Sequence, residues 1–498
     1  MNQEERVLGV ATWGDPYRWL HAEYVADGKL VRAFSTLNIL REVEKPVKIL
    51  VIVLDTLAKY EDVSGAKSID DIEEIVRDYV KPCLCGVEAE IVVLPGILKL
   101  NDKNGKRLSF ESDPRWEFLP LLTYTVFEKA MEADVTSIAL DVSHGINFMP
   151  TLALRAAEEA AAALAAAKVR QVRLKVYQSD PYLWGPLELK RSKEDACKPA
   201  QGDVEPPSLH YNLILKRVFE PWDLTRYTSY GEKRVLKRAQ KAPTSMEDYD
   251  LDGVRKLLEE WALPLIGAFR LGALPQLALL VKAAPLDELR EAAERAIECW
   301  KRGRKRTPVE EVVAEKADSL EVASCTKFAP GFWALVHARA VLEGARKLLG
   351  LAEGSVPLEG ATVTLGELSS LRELVRGSRV VSALVEREIS KLDLLKKQGS
   401  KFLSSEWVGY GELYRRMLME RRTSELVDLL EEQEPKPGSE EGKVDKGKFR
   451  RDFIAHAGFH TGILEVRLAG KGLEIRVRSD QWKDVSEVLR EVTHEGAA

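Results

Sequence analysis

Apolar and polar positions follow two regimes along the chain. Near-continuous apolar runs open it: Arg6–Trp13 (RVLGVATW), Lys48–Thr56 (KILVIVLDT), Glu88–Leu94 (EAEIVVL), Ser137–Ser143 (SIALDVS) and Val172–Gln178 (VRLKVYQ). Amphipathic stretches such as IDDIEEIVRDYV and WEFLPLLTYTVFEKAMEA separate them. Apolar strands alternating with amphipathic helices predict a parallel sheet covered on both faces, a Rossmann-like α/β domain over residues 1–185.

From about Pro206 the pattern becomes helical: LHYNLILKRVFEPW, YGEKRVLKRAQKA, GVRKLLEEWALPLIGAFRLGA, PLDELREAAERAIECWKRG and FWALVHARAVLEGARKLLG. We divide this part into a helical connector, 186–245, and a helical domain, 246–498. Glu431 to Lys448 (EEQEPKPGSEEGKVDKGK) lacks apolar periodicity and reads as a solvated loop before a short helix. Two alternating runs, ILEVRL and LEIRVR, joined by AGKG, predict a β-hairpin closing the chain, with Leu464, Val466 and Leu468 on one side.

Composition narrows the class. The 498 residues are 45% hydrophobic, too many for one ordinary core. No apolar run is long enough to cross a bilayer, and MNQEERVLGV lacks signal-peptide layout, so a soluble cytoplasmic protein with no membrane partner is expected. A net charge of −5 means that any nucleic-acid partner is held at a local site. The 31% content of charged residues leans towards a thermophile. Five scattered cysteines, including the Cys83/Cys85 CxC, argue against a disulfide framework and read as reduced, small hydrophobes.

Candidate chemistry sits first at the strand ends, where doubly wound sheets bind ligands. Strand one ends in Thr12-Trp13-Gly14-Asp15-Pro16, strand two in Asp55-Thr56, strand three in Pro95-Gly96. Strand four ends in Ser143-His144-Gly145-Ile146-Asn147, and Pro150 opens the next helix. Gly145 permits close backbone approach to a ligand. The free N–H groups and dipole of the following helix suit a phosphate. Trp13 offers a stacking platform, worth about 1–3 kcal/mol per base. The same residues also suit ordinary strand–helix turns. Neither GxGxxG nor GxxxxGK[ST] occurs, which disfavours dinucleotide cofactors and Walker-type nucleotides.

The segments LDVSHGINFMP and ATWGDPYRW resemble the CARF domains of CRISPR-associated CARF–HEPN nucleases, over about the first 185 residues. The resemblance implies a cyclic oligoadenylate ligand made by type III CRISPR complexes, most often cyclic tetra-adenylate, acting as an activator rather than a cofactor. It places Trp13, Gly14, Thr56, Ser143, His144, Gly145, Ile146 and Asn147 around the pocket, and Thr12 joins them at the end of strand one. A ring of four identical nucleotides has twofold symmetry, which an isologous homodimer matches.

The second candidate is FRRDFIAHAG near the C-terminus. Of seven histidines, His456 alone has an arginine five to seven residues ahead. Arg451-Asp452-Phe453-Ile454-Ala455-His456 resembles the R-polar-x3-H signature of HEPN nucleases. Arg450 gives an overlapping R-x5-H; the polar Asp452 favours Arg451. The chemistry is coherent without a metal. A histidine with ordinary pKa of about 6.5 moves the 2′-OH proton at neutral pH. An arginine neutralises charge growing on the phosphate. Asp452 orients either side chain, and the products are a 2′,3′-cyclic phosphate and a 5′-hydroxyl. Five helical residues turn through about 500°, so Arg451 and His456 do not share a face. The resemblance implies a composite site on the axis of a homodimer or larger assembly, cutting single-stranded RNA. The plainer alternative is a surface helix packed through Phe449 and Phe453. His456 and His460 are four apart, but Gly458 interrupts them and no third metal ligand is evident.

Other features carry less. Lys301-Arg302-Gly303-Arg304-Lys305-Arg306 suits either phosphate contacts or, more commonly, a solvated helix end. Arg415-Arg416 and Arg421-Arg422 flank an amphipathic stretch, Tyr227, Tyr230 and KRVLKR read as a helical packing element with nucleic-acid contact as the alternative, and His337 reads as a satisfied core or surface residue. Two further functions fit the same chain: a non-enzymatic nucleotide sensor acting through its helical half, which binds the ring but leaves RNA intact, and slow degradation of the ring at Ser143 and His144.

Overall fold

The apolar runs become the centre of one sheet. A computed structural model describes residues 5–101, 106–181, 191–198, 205–227, 234–239, 251–308, 319–351, 356–398, 403–420, 446–470 and 472–494. Strand β1 (Val7–Trp13) leads to a hairpin, β2 (Ala22–Ala26) and β3 (Lys29–Ala33), then α1 (Leu37–Glu44) and β4 (Lys48–Leu54). Helices α2 (Tyr60–Gly65) and α3 (Ile69–Val80) precede β5 (Glu90–Leu94), and a second hairpin follows, β6 (Leu98–Asn101) and β7 (Arg107–Glu111). Then come α4 (Phe118–Glu132), β8 (Ser137–His144), α5 (Met149–Lys168), β9 (Val172–Ser179) and β10 (Ser208–Phe219).

The main sheet has the order β3-β2-β10-β9-β8-β1-β4-β5. Its five expected strands are all parallel. Leu50, Val51, Ile52 and Val53 of β4 are fully buried, each contributing about 1.5–3 kcal/mol as an aliphatic side chain removed from water. Helix α5 is buried along most of its length. Its alanines let the sheet on one side and a later helix on the other both approach closely.

The segment 186–245 departs from expectation. Among its described residues none is α-helical: Ser208–Phe219 is a strand antiparallel to β9, Pro221–Tyr227 is a 3-10 turn, and β11 (Leu236–Arg238) is a short strand. LHYNLILKRVF is rich in β-favouring residues, and the open edge of β9 supplies a hydrogen-bonding partner that outweighs local propensity. The cysteines are a second correction. Cys85 and Cys197 form a disulfide with Cα atoms 5.4 Å apart, tying residues 191–198 to the turn after α3. A pairing across 112 residues leaves no local trace. Cys83 and Cys299 remain free and buried.

The helical half begins with α6 (Asp252–Leu257), α7 (Leu263–Leu271), α8 (Leu274–Ala283) and α9 (Leu286–Gly303). Leu289, Ala292, Ala293, Ala296 and Trp300 form the buried stripe of α9. Next come β12 (Arg304–Pro308), β13 (Ser319–Ser324) and β14 (Thr326–Phe328), then α10 (Pro330–Leu349). Strand β13 runs parallel to β7, so residues from both halves share a four-stranded sheet, β12-β13-β7-β6. Helix α10 packs on α5, where His337 Nε2 lies 3.2 Å from Glu159 Oε1, both buried. His337 is therefore a core residue.

The C-terminal part comprises β15 (Val363–Thr364), α11 (Leu365–Val375), α12 (Arg379–Gln398), β16 (Val408–Gly409), α13 (Tyr410–Glu420), α14 (Lys446–Ala455), β17 (Leu464–Ala469), β18 (Gly472–Val477) and α15 (Trp482–His494). The expected hairpin is β17–β18, with Leu464 and Val466 buried. It does not close the chain, because α15 follows and packs against α7. Most of the Glu431–Lys448 segment, with Arg421, Arg422 and Tyr230, lies outside the described residues.

Candidate functional site

The carboxyl ends of β1, β4 and β8 lie side by side in the sheet. Thr12 and Trp13 end β1 with buried side chains. Thr12 Oγ1 donates to Asp141 O at 3.3 Å. The Trp13 ring is 1% exposed and meets Trp19 edge-on at 4.9 Å. The aromatic surface nearer to solvent is Trp19, stacked on His144 with ring centroids 4.0 Å apart. Sequence reading passed over Trp19, whose only signal was its place in the TWGDPYRW segment.

The β8 end is held by polar contacts. Ser143 N donates to Asp141 Oδ1 at 2.9 Å, and Ser143 Oγ accepts from Ser179 N at 2.8 Å. His144 Nε2 accepts from Thr36 N at 3.3 Å. Burial pushes the imidazole down to about 3, so it is neutral. Gly14 N donates to His144 O at 2.8 Å, which joins the two loops. Gly145 has no room for a side chain, since a Cβ there would lie 2.5 Å from Thr12 Oγ1. Ile146 and Asn147 form the exposed tip, with Asn147 at φ 53°. Helix α5 then starts without a side-chain cap; Met149 N donates to Ile146 O at 3.0 Å and Pro150 has no N–H, so the first turn offers a phosphate at most the Thr151 N–H. Thr56 is half-buried beside Gly96.

His144 makes stability depend on pH. The unfolded chain takes up this proton near the ordinary value of 6.5, the folded chain only near 3. Stability contributed at this position is complete above pH 6.5 and falls as pH drops towards 3. A His144→Gln variant lacks that slope. The gap in melting temperature between wild type and variant is therefore expected to move against the wild type on acidification from pH 7 to pH 4.

At the other end, α14 packs through Phe449 and Phe453. Its last turn is closed by left-handed Ala457 and Gly458 at φ 46° and 76°. Gln276 of α8 donates from Nε2 to Gly458 O at 2.9 Å, and a Cβ on Gly458 would lie 2.2 Å from Gln276 Oε1. This turn places His456 just beyond the helix and separates it from His460. The Arg451 side chain is 75% exposed, with Nε 3.4 Å from Asp452 Oδ1. Arg450 turns to α15, its Nε 3.5 Å from Glu491 Oε2. His456, 18% exposed, turns inward, with Nδ1 3.4 Å from Glu388 Oε1. Within one chain the guanidinium and the imidazole thus point different ways.

Glu388 is the residue sequence reading missed. It is fully buried on α12, in the stripe of Val385, Ile389, Leu392 and Leu395. A glutamate inside an apolar helical stripe was the available signal. Lys391 Nζ lies 3.1 Å from the same oxygen. Burial alone would raise the Glu388 carboxyl, but His456 and Lys391 outweigh it and hold it below its ordinary value.

Within the basic run Lys301–Arg306, Arg304 differs from expectation. Lys301 pairs with Asp70 and Glu73. Arg304 is buried, with Nη2 2.5 Å from Asp55 Oδ2 at the end of β4. It serves the junction between the two halves rather than a solvated surface.

Two family models match the chain, one over each of these sites. The family model described as CRISPR system endoribonuclease Csx1, CARF domain, matches residues 8–181. The one described as CRISPR system endoribonuclease Csx1, HEPN domain, matches residues 378–481. A protein from Methanocaldococcus jannaschii named CRISPR system endoribonuclease Csx1 is 27% identical over 174 residues, 35% of this chain and 37% of that protein. The alignment therefore spans little more than a third of the relative's length. The first model covers the strand-end cluster, the second covers Glu388, Arg451 and His456, and together they cover more than half of the chain: it belongs to the CARF–HEPN family of CRISPR-associated proteins.

Proposed function

We propose that this chain is a CRISPR-associated endoribonuclease that cyclic oligoadenylate switches on. The observation that carries the reading is the C-terminal site: an exposed Arg451 and an inward His456 backed by a buried carboxylate, on the segment matched by the HEPN model. His456 takes the 2′-OH proton of single-stranded RNA as the 2′-oxygen bonds to phosphorus, Arg451 neutralises the phosphorane charge, and the P–O5′ bond breaks as the imidazolium returns a proton to the leaving 5′-oxygen. Asp452, beside Arg451, orients the guanidinium. Because the two groups diverge within one chain, the competent site is composite, formed where two copies of α14 meet on the axis of a homodimer. The chemistry calls on no metal.

The activator pocket lies at the strand ends. Gly145 and the first turn of α5 offer backbone N–H groups to phosphates, with Gly14, Thr56, Ser143, neutral His144, Ile146 and Asn147 around them. Thr12 and Trp13 support that rim from below. Cyclic tetra-adenylate, placed on the dimer axis, meets the same set twice. Activation requires the ring to bind the competent arrangement more tightly than the resting one.

The test is cleavage of a fluorescent single-stranded RNA in EDTA, with and without cyclic tetra-adenylate. The expected result is strong stimulation by the ring and products ending in 2′,3′-cyclic phosphate. RNA left intact at every enzyme concentration, with the ring bound, overturns the nuclease reading and leaves a sensor.

A further inference from the structure

We propose that Glu388 is a positioning residue that fixes the tautomer of His456 and stabilises its protonated form during RNA cleavage. The inference rests on the reading of His456 as the proton-transferring group. A buried ionised carboxylate must be paired or hydrogen-bonded. Glu388 meets that need through Oε1, shared between Lys391 Nζ at 3.1 Å and His456 Nδ1 at 3.4 Å, with Arg387 Nη2 at 3.5 Å. The carboxylate only accepts, so the neutral imidazole facing it carries its proton on Nδ1. In that tautomer the Nε2 lone pair is the one that can take the 2′-OH proton. When His456 takes the proton, the imidazolium forms beside a fixed negative charge.

Packing and hydrogen bonding make the arrangement rigid. Glu388 sits on a helix within a packed apolar stripe, so its rotamer is held from both sides. His456 sits on a turn locked by the Gln276–Gly458 hydrogen bond. Among the described residues, His460 after the turn feels the charges of His456 and of Asp452 and Lys448 on α14. His460 is pushed below its ordinary value by burial, so it adds little positive charge at neutral pH. Lys391 anchors Glu388 and damps its field at His456 without replacing it. Asp452 is the second acidic group, but it also faces Arg451.

The experiment compares wild type, His456→Ala, Glu388→Gln and Glu388→Asp as full-length, activator-saturated enzyme. Each is followed by its pH–rate profile and melting temperature. Nitrogen-15 chemical shifts of His456 in the wild type give the tautomer directly. We expect Nδ1 to carry the proton in the neutral ring. Glu388→Gln should lower kcat on the order of 10²-fold with KM little changed. Its acid limb should move to lower pH, because the charge that favours imidazolium is gone. Glu388→Asp should recover part of both. An Nε2-protonated ring, or a Glu388→Gln acid limb at the wild-type position, overturns the proposal. Activity retained by His456→Ala sinks the parent reading instead, and is seen without any Glu388 variant.

Discussion

His456→Ala is expected to lose cleavage by about 10²–10⁴-fold, the usual worth of a positioned acid–base group. Its fold and ring binding should stay as in the wild type. The side chain is near the surface at 18% exposure, and its removal leaves the Gln276–Gly458 lock in place. Glu388 keeps Lys391 as a partner. Arg451→Ala should cost about 10²–10³-fold, the loss of one charge-stabilising donor, with little change in melting temperature, because the side chain is 75% exposed. Arg450→Ala separates the overlapping motifs. Arg450 faces Glu491 on α15, so its removal should act on stability more than on rate. Initial rates on one RNA for the three variants, with circular dichroism melts, check the set. Full activity in His456→Ala removes the imidazole from the mechanism.

Arg304→Met is expected to destabilise the protein by about 3–5 kcal/mol, the cost of breaking a buried ion pair from one side. The Arg304 side chain is 1% exposed and that of Asp55 is 4% exposed. Asp55 also accepts from Gly96 N at 2.8 Å, so one carboxylate ties together the ends of β4 and β5. Arg304 reaches Ser324 Oγ at 3.0 Å and lies 3.9 Å from Glu117 Oε2. Burial pushes the Asp55 carboxyl up, and the guanidinium pulls against it. Without Arg304 the acid is left buried and unpaired. The Asp55→Asn/Arg304→Met double variant removes both charges and should recover much of the loss, a coupling that urea unfolding of the four proteins reads out. Additive losses would mean that the two side chains do not act as a pair. Asp55 immediately precedes Thr56, so the same pair joins the proposed ligand rim to the helical half.

The central sheet was legible in the chain. Runs such as KILVIVL and SIALDVS are short and rich in β-branched residues, which favours a strand buried on both faces, and each strand appeared within a residue or two of its expected bounds. The β17–β18 hairpin was legible for a similar reason, since strict alternation puts one face in the core. The family was also readable, because SHGIN and R-D-x3-H are contiguous motifs whose chemistry is local. Everything that depended on a distant partner was hidden. The strand β10 looked helical until β9 offered it an edge. Trp13 looked like a stacking surface until the fold buried it and put Trp19 on His144. Arg304 looked like solvated charge until Asp55, 249 residues earlier, met it. Glu388 gained meaning only when His456 was brought beside it from 68 residues away. Periodicity and motif record what a residue does with its near neighbours along the chain. Burial, ion pairing and the orientation of an imidazole are decided by which other segment arrives, and tertiary packing alone makes that choice.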